Sequence, residues 1–310
     1  MTSSAGTAIH LSVVIPTWQT RDLIEDQLHA VARELASVEI ASEVIVVDDH
    51  SVDGTADAVE DWIKANDAAT FSIVRRTQRG GPNASRNTGL QHATGRYTLF
   101  TDGDDVLLPG AVSAMLEAFR PRCLLAGRAV IRGEATPRFE TTEPPRFCGV
   151  LFAPGSIMAG EREVFVGTGG FDENIMVGGS ETEFAIRAQS QHQVEVVFVP
   201  FAQVEYRTPV DPTGRFVKNF KRERGYAYVC RLHRDMLDDP GWRTGVSQIV
   251  RGLKMELFRL RHQDGDRGWA LVGAGAGRVA GRLVWRPWEF VRRREPRLFR
   301  LEASTDPRGS

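Results

Sequence analysis

The chain has 310 residues, 42% apolar and 25% charged, with a formal net charge of −1. That balance fits a folded globular chain and excludes a low-complexity or disordered one. A net charge this close to zero provides no global field for steering toward nucleic acid, so no nucleic-acid partner is expected.

The N-terminal half alternates strand and helix signals. Leu11 to Ile15 reads as a short strand ending at Pro16, and Leu23, Ile24, Leu28, Val31 and Leu35 follow at helical spacing. Glu43 to Val47 is a β-branched run, expected as a buried parallel strand. Ser51 to Thr55 punctuates it and caps a helix through Ile63. Phe71 to Val74 is a third strand, Pro82 to Ala93 a helix with proline in its first turn, Tyr97 to Phe100 a fourth strand, and Pro109 opens a helix ending near Phe119. Repeated β-α-β units of this spacing predict a mostly parallel, Rossmann-like sheet flanked by helices.

The second half is less regular. Thr136 to Pro145 reads as a surface loop, Gly167 to Asp172 as a turn, Glu181 to Gln189 as a helix and Val194 to Val199 as a strand. From Arg215 onward basic residues are frequent, and residues 240–300 read as an appended helical region. Three cysteines, Cys123, Cys148 and Cys230, form no C-x-x-C pair, which suits a reduced cytoplasmic protein. Met1 to Ala8 lacks the basic-then-apolar pattern of a signal peptide, and no apolar run approaches the ~20 residues of a membrane span.

Four stretches carry candidate chemistry. Asp102-Gly-Asp104-Asp105 follows an apolar strand, and carboxylates this close repel unless a cation such as Mg²⁺ or Mn²⁺ joins them. Its competing reading is a polar turn that caps the next helix. Val47-Asp48-Asp49 delivers two carboxylates to a strand end, where one is suited to accept from the N–H of uracil or thymine; alternatively both brace the turn. Gly80-Gly-Pro-Asn-Ala-Ser-Arg86-Asn87 is a helix N-terminus suited to an anion, with Arg86 adding a charge-assisted contact. Further on, Gly178-Gly-Ser-Glu181-Thr-Glu183 presents acidic groups at a helix start, where a carboxylate can act as a general base. Arg187, four residues after Glu183, is expected to pair with it on the surface. Gly273 to Gly277 imitates a dinucleotide loop but follows no β-branched strand, and reads as small-residue helix packing.

Taken in order, Ser12 to Trp18, Ile45 to Thr55, Ala84 to Leu90, Asp102 to Asp105 with Pro109, and Gly169 to Glu173 resemble the family 2 glycosyltransferases of GT-A fold. The resemblance covers residues 11–207 and implies an inverting transfer from a nucleotide-sugar, UDP- or dTDP-linked, to an acceptor hydroxyl in polysaccharide, cell-envelope glycan or glycolipid synthesis. It implies a GT-A domain at 9–210, with a donor-binding half at 9–120 and an acceptor-side half at 121–210, and a helical, basic extension at 211–310. Asp49 matches the base-reading carboxylate, with Pro16 and Thr17 lining the same pocket and Arg86 and Asn87 on the donor side. Asp102 and Asp104 match the D-x-D pair facing diphosphate and metal, Asp104 as the direct ligand. The family's Glu-Asp pair at the acceptor-side helix is Ser180-Glu181 here, so Glu181 stands as base with Glu183 as its competitor. No histidine occupies the Val204 to Arg207 neighbourhood, where some members add a metal ligand.

Two other classes remain open at the level of sequence: nucleotidyl transfer on a related fold, and a non-catalytic nucleotide-sugar binder. The first would show a glycine-rich basic loop after the first strand, which Pro16-Thr-Trp18-Gln does not resemble. The acceptor is expected to be a glycan or a lipid-linked sugar. Arg278, Arg282 and Arg286 recur every four residues and are followed by Trp285, Trp288 and Phe290. That pattern suits peripheral attachment of residues 269–300 to an anionic inner membrane face, and the alternative is an arginine-rich helix packed on the catalytic domain.

Overall fold

The computed structural model describes residues 10–131, 146–176, 178–207 and 212–234, with 236–237 and scattered positions between 243 and 280. The first seven elements are β1 (His10–Thr17), α1 (Ile24–Ala36), β2 (Ala41–Asp48), α2 (Thr55–Ala65), β3 (Phe71–Arg75), α3 (Pro82–His92) and β4 (Tyr97–Phe100). The four strands pair in parallel in the order β3-β2-β1-β4. β1 is a continuous apolar run because both its faces are covered. Val13 and Ile15 pack with Ile24, Leu28 and Val31 of α1, while Val14 turns to the opposite layer with Leu90 of α3.

The chain continues through β5 (Val106–Leu107), α4 (Ala111–Ala118), β6 (Cys123–Ile131), β7 (Arg146–Phe147), β8 (Val150–Leu151), β9 (Met158–Glu161), α5 (Arg162–Gly167), α6 (Ser180–His192), β10 (Glu195–Tyr206) and α7 (Pro212–Leu232). The described residues form an eight-stranded sheet, β3-β2-β1-β4-β9-β6-β10-β5, in which β9 runs antiparallel to both β4 and β6. β10 reaches Tyr206 rather than stopping at Val199. Its register against β6 shifts between Phe198 and Gln203, and this bulge carries Pro200 and the exposed Phe201 out of the ladder.

Chain order reverses at β1, which lies between β2 and β4, so the carboxyl ends of these strands bound a crevice. Thr17 pairs in register with Asp48 at this edge, and the Gly103 N–H donates to the Pro16 carbonyl. Behind it Phe100, Phe165, Phe171 and Phe184 form a fully buried aromatic box, with neighbouring ring centroids such as Phe171 and Phe184 4.9 Å apart. This box gives the loops above it a rigid floor.

α7 closes over α6 and the Gly178-Gly179 turn. Gly178 has φ +74°, and a Cβ there would lie 2.5 Å from the Arg222 Cα, so only glycine permits this approach. Ile175, Ile186, Val229, Cys230 and Leu237 make a separate apolar cluster at the junction. Arg278, expected on a membrane-facing surface, instead donates from Nη2 to Glu223 Oε2 of α7 at 2.6 Å and is 15% exposed. For this residue the ion pair matches the alternative of a helix packed on the protein. Arg282, Arg286 and the aromatic residues beyond them lie outside the described residues, as does the loop expected at Thr136 to Pro145. No helix among the described residues is long and apolar enough to cross a membrane.

Candidate functional site

The acidic turn after β4 is fixed from beneath by Gln27, a fully buried polar residue of α1. Its Nε2 donates to Thr101 Oγ1 at 2.8 Å and to the Asp102 carbonyl at 3.1 Å, while its Oε1 accepts from the Leu107 N–H at 3.0 Å. Both ends of the turn are thereby held by one side chain. The carboxylate oxygens of Asp102, Asp104 and Asp105 lie within 4.8 Å of one another. Asp105 is buried, and its Oδ1 accepts from the Arg207 N–H at 3.2 Å. Asp102 and Asp104 keep partial exposure. An all-oxygen set of like charges at this spacing fits a hard divalent cation.

Arg86 joins this turn to the start of α6. Its Nη2 donates to Asp102 Oδ1 at 2.8 Å and its Nη1 to Ser180 Oγ at 3.3 Å. Ser180 Oγ in turn donates to Glu181 Oε2 at 3.0 Å. Arg86 is only 4% exposed, and its guanidinium lies 5.7 Å from the Phe171 ring centre. Gly155 makes room for it, since a Cβ there would fall 2.5 Å from Nη2. In this structure the charge expected to meet a ligand phosphate pairs with Asp102.

Asp49 is also turned inward. Its Oδ1 accepts from Arg76 Nε and the Gly80 N–H, each at 2.9 Å, and its Oδ2 from the Gly81 N–H at 2.7 Å. In this structure the carboxylate expected to read a base holds the Gly80-Gly81 turn and neutralises Arg76. Asp48, beside it, accepts the Ser51 N–H at 3.0 Å. Asn87, expected on the donor, is buried: its Nδ2 donates to the Phe171 carbonyl and its Oδ1 accepts the Phe171 N–H, both at 2.9 Å. It clamps α3 to the Gly170-Phe171 turn. Pro16 and Thr17 do reach the crevice edge but are buried, with Thr17 Oγ1 bonded to Thr20 Oγ1. Above them Arg79 stacks on the Trp18 ring at 3.4 Å, a rim feature the sequence did not single out.

Glu183 separates clearly from Glu181. It is fully buried, chelated by Arg187 through Nε at 2.9 Å and Nη2 at 2.8 Å, with His233 Nε2 3.3 Å from its Oε1. Arg187 also donates to the Thr168 and Gly170 carbonyls. The expected surface pair is thus an interior one. Burial pushes the Glu183 carboxyl up, but the hydrogen bonds and charges of Arg187 and His233 hold it below the usual carboxylate value. A carboxylate so fully engaged is poorly placed to take an acceptor proton. Glu181, two residues earlier, is half-buried, and its near neighbour Tyr226 has its phenol pushed up by burial and by the Glu181 charge.

Comparison with known proteins bears on the family and the fold. The GalNAc(5)-diNAcBac-PP-undecaprenol beta-1,3-glucosyltransferase of Campylobacter jejuni is 33% identical over 107 residues, which are 34% of this chain and 33% of that protein. The Poly(ribitol-phosphate) beta-glucosyltransferase of Bacillus spizizenii is 35% identical over 97 residues, 31% of this chain and 15% of that protein. These matches span a third or less of either relative's length. The mannosyltransferase PcManGT from Pyrobaculum calidifontis, solved in complex with GDP-Man and Mn²⁺, superposes with a TM-score of 0.62 at 18% identity, covering 89% of this chain and 87% of that one. This likeness establishes the GT-A-type fold. Residues 12–166, half of the chain, match the model of the family Glycosyl transferase family 2, and the chain belongs to that family.

Proposed function

We propose that the chain is an inverting glycosyltransferase that moves a hexose from a UDP- or dTDP-linked donor to an acceptor hydroxyl of a cell-envelope glycan. The observation that carries this reading is the short path from the acidic turn to the acceptor-side carboxylate, Asp102 to Arg86 to Ser180 to Glu181. Direct displacement at an anomeric carbon needs charge stabilisation on the departing diphosphate and a base on the opposite face of the sugar. Those two needs fall to the two ends of this path. Asp102 and Asp104 are the residues that would hold Mn²⁺ or Mg²⁺, with phosphate and water oxygens completing the shell. The cation, when bound, supplies Lewis-acid stabilisation of the leaving group. Glu181 accepts the proton of the attacking hydroxyl, and the Gly178-Gly179 turn with α7 walls the side from which an acceptor enters. Residues 9–210 form the transferase unit in this reading, and residues 211–310 an extension docked on it through α7.

The acceptor class is suggested by the relatives, whose names specify an undecaprenol-PP glycan and a poly(ribitol-phosphate). The test is release of free nucleoside diphosphate from a panel of nucleotide-sugars, with and without such acceptors and Mn²⁺. Acceptor-dependent release is expected. Glu181→Gln should keep donor binding and lose transfer by roughly 100-fold or more, the scale of general-base loss. Donor binding with no release under any acceptor would point to a binding protein, and pyrophosphate as product would point to nucleotidyl transfer.

A further inference from the structure

We infer that Ser180 is a positioning residue for the Glu181 carboxylate, an inference that rests on Glu181 being the base. The argument begins with proton counting. Arg86 has only donors to offer, so the Nη1 contact at 3.3 Å makes Ser180 Oγ an acceptor there. A hydroxyl carries one proton, and that proton is then directed to Glu181 Oε2 at 3.0 Å. Ser180 is 3% exposed, so water does not compete for the hydroxyl. The Arg86 guanidinium cannot easily rotate away. Its Nη2 is bonded to Asp102 at 2.8 Å, the Phe171 ring lies beneath it, and Gly155 backs it.

The result is a chain of hydrogen bonds with one direction, from guanidinium to hydroxyl to carboxylate. It occupies Oε2 and leaves Oε1 as the oxygen to receive a proton. It also offsets the reach of glutamate. A glutamate has one more rotatable bond than an aspartate, and an unrestrained one would sample several orientations across the crevice. Tying one oxygen to a fixed hydroxyl removes that freedom and delivers the other oxygen to a defined place. Because the same guanidinium holds Asp102, the acidic turn and the base share one anchor. The serine at this position therefore acts as the restraint that lets a glutamate stand in the neighbouring position.

The test compares Ser180→Ala and Ser180→Thr with the parent full-length chain, using Glu181→Gln as control. Ser180→Ala is expected to lower kcat by roughly 10- to 100-fold, the scale of one hydrogen bond to a charged group. The donor KM and the calorimetric affinity for nucleoside diphosphate should stay within about twofold, because no donor contact is removed. Ser180→Thr, which keeps the hydroxyl, should recover most of the loss. An unchanged kcat in Ser180→Ala beside a silenced Glu181→Gln would overturn the inference and leave the base assignment standing. A loss in Ser180→Ala that falls equally on donor affinity would overturn it as well. Full activity in Glu181→Gln would instead remove the base assignment itself.

Discussion

Arg86 Nη2 and Asp102 Oδ1 lie 2.8 Å apart, with the arginine buried and the aspartate 28% exposed to solvent on its side chain. The pair balances one of the negative charges of the acidic turn from inside the protein. Its stability depends on Gly155, whose missing side chain leaves space for the guanidinium. Gly155→Ala should cost about 1–3 kcal/mol, the usual penalty for a methyl forced into a packed site, and should reduce transfer as Arg86 is displaced. Thermal melting and turnover of the variant check this; a wild-type melting temperature and rate would show that the arginine is not confined there.

Asp104 is the partly exposed carboxylate expected to contact a cation directly. Asp104→Ala should remove the enhancement of nucleoside diphosphate binding by Mn²⁺ while leaving the fold intact, since it also relieves repulsion within the turn. Titration calorimetry with and without Mn²⁺ measures both. Undiminished enhancement would shift the metal assignment away from this residue.

Glu183 offers a contrast with Glu181. Glu183→Gln leaves Arg187 buried without its counter-charge, and a loss of stability of about 3 kcal/mol is expected. The folded chain holds the Glu183 carboxyl below its ordinary value, so its contribution is complete above a pH of about 4.3 and fades as pH falls through the lower native value. Denaturant melts between pH 3 and 7, chosen to bracket about that range, should show a shallower acid-side decline in the variant than in the parent. Parallel curves would contradict the linkage.

Asp49→Asn tests the inward role of that residue. An amide in its place presents N–H groups to Arg76 or to the Gly80 and Gly81 N–H donors, and a buried mismatch of this kind costs about 2–3 kcal/mol. The expected outcome is a lower melting temperature even without nucleotide. An unchanged melt together with weakened UDP binding would restore the base-reading role.

Much of the fold was legible because β1, β2 and β4 are apolar runs buried on both faces, and α1 repeats its apolar residues at helical spacing. β9 was not, since Met158-Ala-Gly-Glu161 contains no β-branched residue and owes its strand conformation to pairing with β4 and β6 on either side. The end of β10 was hidden by Pro200, which a sequence reading takes as a stop and a bulge accommodates. In the site, residue types at strand ends pointed to the crevice but not to the intramolecular contacts these residues make. Arg86, Asn87 and Asp49 all carry groups that suit a ligand, yet each meets a partner brought close only by tertiary packing. Gln27 had a visible signal, a polar residue at helical spacing among Ile24, Leu28 and Val31 of α1.

α7 and the residues just after it meet the preceding part of the chain through polar contacts as well as the apolar cluster: Tyr228 donates to Asp172 Oδ2 at 3.2 Å, and His233, just past α7, meets Glu183. Within the C-terminal region, Arg278 returns to Glu223 of α7. Grafting the C-terminal hundred or so residues from one relative onto another is thus not a neutral exchange. A chimera that brings a new α7 must also bring matching residues at 172 and 183, or it will place a strained seam directly beside Ser180 and Glu181.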